Sequence, residues 1–82
     1  MKKYRLLRVA ERKGPTKDVV MRLDLVQWLA FEHLPPAYEV FSYRIRPEED
    51  SYQRLILTRS RQEASAVFEK ALAKNRAWKE VR

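Results

Sequence analysis

YEVFSYRIR (38–46), PEEDS (47–51), YQRLILTR (52–59) and SRQEASAVFEKALAKN (60–75) follow one another without a break, and their reading decides the fold. Side chains alternate in character through Tyr38–Arg46 and again through Tyr52–Arg59, the period-2 pattern of half-buried strands. Between them, Pro47-Glu48-Glu49-Asp50-Ser51 is turn-forming, because proline cannot donate to a ladder and short polar side chains hydrogen-bond locally. A five-residue loop pairs Arg46 with Tyr52, Arg44 with Arg54, Ser42 with Ile56 and Val40 with Thr58. The other face then pairs Ile45 with Gln53, Tyr43 with Leu55, Phe41 with Leu57 and Glu39 with Arg59, an apolar strip closed by opposite charges. A four-residue loop mixes the two faces, so the odd loop is expected.

Ser60-Arg61-Gln62-Glu63 fits a capping box, with Ser60 at N-cap and Glu63 at N3. Ala64, Val67, Phe68, Ala71 and Leu72 recur at helical spacing, and Asn75 and Trp78 extend the same face. A helix running to about residue 78 is therefore predicted. Its stripe is expected to rest on the Phe41/Tyr43/Leu55/Leu57 face of the hairpin, completing a two-layer core.

Working outward, Lys3–Glu11 reads as a strand and residues 12–17 as a loop punctuated by Gly14-Pro15. Asp18–Leu34 admits two readings. Val19, Met21, Leu23, Leu25, Leu29 and Phe31 alternate as a strand, broken only by Gln27, whereas Val19, Leu23, Val26, Ala30 and Leu34 line a helix that Pro35-Pro36 would stop. A split segment, extended first and helical over Gln27–Leu34, also fits. The fold class expected is α+β, one small basic domain over residues 1–82. An antiparallel sheet of three to four strands packs on a C-terminal helix, as β-α-β-β-α or β-β-β-β-α.

The 82 residues suffice for one modest core, and 45% hydrophobic against 35% charged residues favours folding over disorder. No cysteine is present, which excludes disulfides and thiolate metal sites and suits a reducing cytoplasm. The start, Met-Lys-Lys followed by Tyr, Arg and Leu, lacks the long apolar region of a signal peptide, and no stretch has the apolarity of a membrane span. Net charge is +7, concentrated early: residues 1–17 hold seven Lys or Arg (Lys2, Lys3, Arg5, Arg8, Arg12, Lys13, Lys17) against Glu11.

Catalytic signatures are missing. No serine is spaced with a base and an orienting carboxylate, one glycine makes no phosphate-cradling loop, and the lone His33 has no companions for a zinc site. No enzyme, metal or cofactor is expected. What remains is basic surface beside aromatic rings. On the expected register Arg44 faces Arg54, and Arg46 lies opposite Tyr52, an arrangement suited to tracking a phosphate backbone while rings stack on bases. Arg5, Arg8, Arg12 and Lys13 supply phosphate contacts in the same reading. The plain alternative is a solvated face neutralised by Glu48, Glu49 and Asp50, with the N-terminal cations guarding an exposed edge. Val40 and Ile56 fall on that same hairpin face, so the face is expected to be covered by segment 18–34, by a second copy or by another protein.

The tail, YEVFSYRIR…LTRSRQEASAVFEKALAKNRAW, resembles the end of a WGR domain over about half the chain. The resemblance implies strands followed by a helix and nucleic-acid binding. Ser42-Tyr43-Arg44 stands where the Trp-Gly-Arg signature belongs, and no site residue is carried over from the family. From the basic sheet face and N-terminal strand, the expected function is a non-enzymatic module that binds RNA or DNA. The alternative is a small accessory protein that docks on an acidic protein surface or on its own copy.

Overall fold

A computed structural model describes residues 2–15, 18–28, 34–46 and 49–81, and of Arg46, Glu49 and Asp50 the backbone alone. Among the described residues five strands and one helix follow in the order β1 (Lys2–Lys13), β2 (Asp18–Trp28), β3 (Ala37–Arg46), β4 (Glu49–Thr58), α1 (Arg61–Lys74) and β5 (Trp78–Val81). The sheet order is β4-β3-β2-β1-β5, antiparallel throughout. Four strands form a meander, and α1 then carries the chain back across the sheet so that β5 adds to the β1 edge. The α+β class is as expected, with five strands rather than three to four.

Segment 18–28 is a strand. It lies between β1 and β3, and its Val19, Val20, Met21, Leu23 and Val26 are all buried. The buried residues fall at both parities, Val19, Met21 and Leu23 toward the helix side and Val20 and Val26 toward the opposite face, and this is why its apolar residues also wrapped a helical wheel. Residues 29–33, with the expected helical end and His33, lie outside the described residues.

The hairpin register differs from expectation. Arg46 pairs with Glu49, Arg44 with Ser51, Tyr43 with Tyr52, Ser42 with Gln53 and Phe41 with Arg54; the register then shifts, and Val40 pairs with Ile56 and Tyr38 with Thr58. Only Pro47 and Glu48 separate the strands, so the five-residue loop is overturned. The shift leaves Leu55 as an extra residue, a β-bulge. A bulge exchanges the faces of everything beyond it: Ile56 goes under the helix while Arg54 goes to the opposite side.

A second bulge does the same in β1, where the register shifts between Leu6 and Arg8. Arg8, Ala10 and Arg12 then fall on the helix side. The core consists of Ala10, Met21, Leu23 and Val40 from the sheet with Ala64 and Phe68 from α1, and Leu7, Tyr38, Ile56, Val67, Ala71, Leu72 and Trp78 pack around it. The helix therefore rests on the Val40 face of β3, not on the Phe41/Tyr43 face. The cover over Val40 and Ile56 is α1 itself.

The cap forms as expected in part. The Glu63 amide donates to Ser60 Oγ at 3.1 Å, but the return arm runs through Thr58, whose Oγ1 accepts from the Ser60 amide at 3.1 Å and donates to Glu63 Oε2 at 3.2 Å. The helix ends at Lys74, earlier than predicted. Asn75 is extended (φ −146°, ψ 118°), and its Oδ1 accepts from the Ala77 amide at 2.9 Å. This side-chain turn redirects the chain, and Trp78 opens β5 instead of continuing the helix. Trp78 still meets the core, now as the register partner of Arg12.

Candidate functional site

The helix covers one face of the sheet, and none of the other described elements packs on the second face. Alternation from the bulges places Lys2, Tyr4 and Leu6 of β1 on this open face. Arg22, Asp24, Val26 and Trp28 of β2 join them, with Glu39, Phe41, Tyr43 and Ile45 of β3 and Tyr52, Arg54 and Leu57 of β4. Most of these line a cavity of about 430 Å³, within the roughly 300–1,000 Å³ range of small-molecule sites.

Its rows can be read off the register. The central row is Leu6, Asp24, Glu39, Leu57 and the next is Val9, Arg22, Phe41, Arg54. Asp24 and Glu39 are direct cross-strand partners, and although α1 lies on the other face they are only 2% and 5% exposed. Neighbouring side chains do the covering. Arg22 Nε donates to Asp24 Oδ1 at 3.1 Å, Arg54 Nε donates to Glu39 Oε2 at 2.8 Å, and the Tyr52 hydroxyl donates to the same Oε2.

The electrostatics follow from this crowding. Burial pushes the Asp24 carboxyl above its ordinary value, Arg22 pulls it back, and the charge of Glu39 raises it again. Burial also raises the Tyr52 hydroxyl, reinforced by its bond to Glu39. Arg54 is raised chiefly by its bond to Glu39, then by Tyr52. Arg22 is lowered by burial, but its bond to Asp24 and the charge of that carboxylate leave it raised.

Aromatic rings surround the carboxylates. Phe41 lies 5.4 Å from Tyr52 and 6.0 Å from Tyr43, centroid to centroid. Arg22 sits 5.8 Å over the Phe41 ring and Lys2 Nζ 5.4 Å over Trp28. Tyr4 and Tyr52 remain 53% and 54% exposed, so their rings are available to a ligand.

The residues expected to form one platform are divided between faces. Tyr52 and Arg54 are on the open face. Arg44 is on the helix side, where with Arg12, Lys74 and Trp78 it lines a second cavity of about 410 Å³. Arg44 and Arg54 are therefore not opposite each other, and Tyr52 faces Tyr43, not Arg46. The Arg46 side chain and the turn acids invoked as neutralising partners lie outside the described side chains.

Arg8 is engaged within the fold. It binds Glu80 at 2.7 and 2.8 Å and Glu69 at 2.5 Å, and it lies 4.5 Å over the Phe68 ring. Those two carboxylates hold its guanidinium well above the usual arginine range. Arg12 lies 5.0 Å over Trp78. Arg5 and Lys13 are exposed near opposite ends of β1.

Sequence reasoning missed Asp24 and set Glu39 against Arg59, whereas Leu57 stands opposite Glu39 and Arg54 binds it. The signal was available: each is a lone acid within an otherwise apolar strand stretch, Leu23-Asp24-Leu25 and Tyr38-Glu39-Val40. Among the described residues no three His, Asp or Glu side chains gather as metal ligands, and no helix is long and apolar enough to cross a membrane. Comparison with known proteins returns no matching family model, no matching curated protein and no matching solved structure.

Proposed function

We propose that the protein is a non-enzymatic module that binds single-stranded nucleic acid on its open sheet face. One observation carries the reading: the face away from α1 presents Tyr4, Trp28, Phe41 and Tyr52 interleaved with Lys2, Arg22 and Arg54 around one cavity. Unpaired bases stack on exposed rings whatever their identity, and cations at the rim follow the backbone. A duplex hides its base faces and gains little from such a surface. The remaining positive charge, including Arg5 and Lys13, acts at longer range by attracting the polyanion.

Fluorescence anisotropy with labelled single-stranded RNA, single-stranded DNA and duplex DNA at several salt concentrations tests this. The expected order is either single strand ahead of duplex, with affinity falling steeply as salt rises. Tyr52→Ala is expected to weaken single-strand binding by roughly fivefold to 150-fold, the equivalent of about 1–3 kcal/mol for one stacked base. Duplex binding as tight as single-strand binding would remove the platform reading.

A second reading has its own support. Leu6, Ile45 and Leu57 are exposed on the same face, an apolar set that a second copy of the chain could cover. Light scattering across a concentration series separates the two, since a face-to-face dimer would compete with the oligonucleotide.

A further inference from the structure

We infer that the carboxylate pair Asp24–Glu39, at the centre of the open face, reads the donor edge of a guanine base. This rests on the face being a single-strand platform and names what that platform selects. Two like charges directly opposite on neighbouring strands destabilise a sheet, and burying them adds to the cost. The fold does not require this arrangement. Leucines occupy the two outer positions of the same row, and Val26 and Ala37 fill the adjacent positions on the same two strands. A costly pair at the floor of a cavity is the pattern expected of a site rather than of a scaffold.

The chemistry of the pair narrows the ligand. An ionised carboxylate only accepts, and it has about four acceptor positions. The bonds from Arg22, Arg54 and Tyr52 converge on Oδ1 of Asp24 and Oε2 of Glu39. A phosphate placed here would meet two negative charges, so the backbone belongs at the rim, near Lys2, and a base belongs in the centre. The rings of Tyr4, Trp28 and Phe41 already line the space a base would take.

Bases differ in what they offer a carboxylate. Guanine presents N1–H and the N2 amino group side by side, a two-pronged charge-assisted donor like the arginine fork. Adenine and cytosine offer one amino group next to a ring acceptor. Uracil offers one N–H between two carbonyls, which a pair of carboxylates repels. The expected order is guanine first and uracil last.

The test uses labelled oligouridylates, and the corresponding oligodeoxythymidylates, carrying one central guanosine, inosine, adenosine or cytidine. Guanosine is expected to bind about tenfold or more tighter than the uniform strand, on the scale of one good bidentate base contact. Inosine lacks the N2 amino group and is expected to lose most of that advantage. Glu39→Gln and Asp24→Asn keep the side-chain shape, and in either one the guanosine strand should lose its advantage over the adenosine and cytidine strands measured with the same variant. Equal affinity for all four strands with steep salt dependence would overturn the base reading and leave the platform standing. No binding to any strand would overturn both. If a variant fails to fold by circular dichroism, the oligonucleotide series with the unaltered protein decides alone.

Discussion

Asp24 and Glu39 face each other across β2 and β3 with about 4.5–5.5 Å between their Cβ atoms if the pair has ordinary cross-strand geometry. Each charge is offset by its own arginine, yet the Asp24 carboxyl stays above its ordinary value because burial and Glu39 together outweigh Arg22. The consequence for stability has a definite sign. An acid whose folded pKa is raised binds more protons when folded than when unfolded, so stability falls as pH rises through that window. Its contribution is fully present below the ordinary aspartate value and is lost as pH passes the raised one. Asp24→Asn removes the titration but keeps the shape. Urea denaturation from about pH 3.5 to pH 7, a range bracketing ordinary carboxylate values, should show the Asp24→Asn variant gaining on the unaltered protein as pH rises. The opposite trend would mean that the Arg22 bond dominates. Among the described residues Glu39 and Arg22 are the charged groups acting on Asp24, so the comparison also needs Glu39→Gln as a control. Asp24 went unread in the sequence and Glu39 was assigned to Arg59, because alternation marks which residues share a face, and the like-charge pairing only exists once β2 and β3 are in register.

At the scale of elements, the strand–turn–strand–helix order was legible because period-2 alternation, turn residues and a capping box are all local signals. Two one-residue events were not. The bulges at Leu7 and Leu55 change the parity of β1 and β4 partway along, and nothing in local composition announces them, since leucine is as ordinary at a bulge as in a ladder. Without the bulge at Leu55, Arg54 and Ile56 must share a face, and a five-residue loop then sets Arg44 opposite Arg54. The choice of face for α1 was also hidden. Phe41, Tyr43 and Leu57 look more like core than Val40 and Ser42 do. Close packing under Ala64 and Phe68, however, selects Val40, which is fully buried, and leaves the larger rings on the far side. The strand β5 escaped notice because four residues are too few for a pattern, and Arg8 is what ties it down, bridging β1 to Glu80 on β5 and to Glu69 on α1. Arg8→Ala is accordingly expected to loosen the β5 edge. After discounting for solvent screening the ion pairs contribute about 1 kcal/mol or less, so the Lys79 and Val81 amides should exchange with solvent up to roughly fivefold faster. Exchange unchanged at β5 would mean that the backbone ladder alone holds the strand.

The whole molecule keeps its two faces chemically distinct. The helix side holds Arg12, Arg44 and Lys74 around one cavity, and the open side holds Lys2, Arg22 and Arg54 among rings and carboxylates around the other. Charge distribution along the sequence could not foresee this division, because net charge says how strongly a polyanion is attracted and not where it lands. Charge reversal at one site on each face separates attraction from contact. Arg44→Glu and Arg54→Glu change the net charge of +7 equally, so both should lower the rate of association to a similar extent. If the open face is the interface, Arg54→Glu should also speed dissociation and reduce the salt slope by about one unit, the effect of losing a phosphate contact. Arg44→Glu should leave dissociation and slope nearly unchanged. Stopped-flow measurement of both rates across salt concentrations, with circular dichroism to check each fold, distinguishes the cases. Because Arg54 also neutralises Glu39, Arg54→Lys belongs beside it: retained charge with a lost bond should restore the slope but not the full lifetime of the complex. The reverse pattern, with Arg44→Glu shortening the lifetime and Arg54→Glu not, would move the interface to the helix-side cavity.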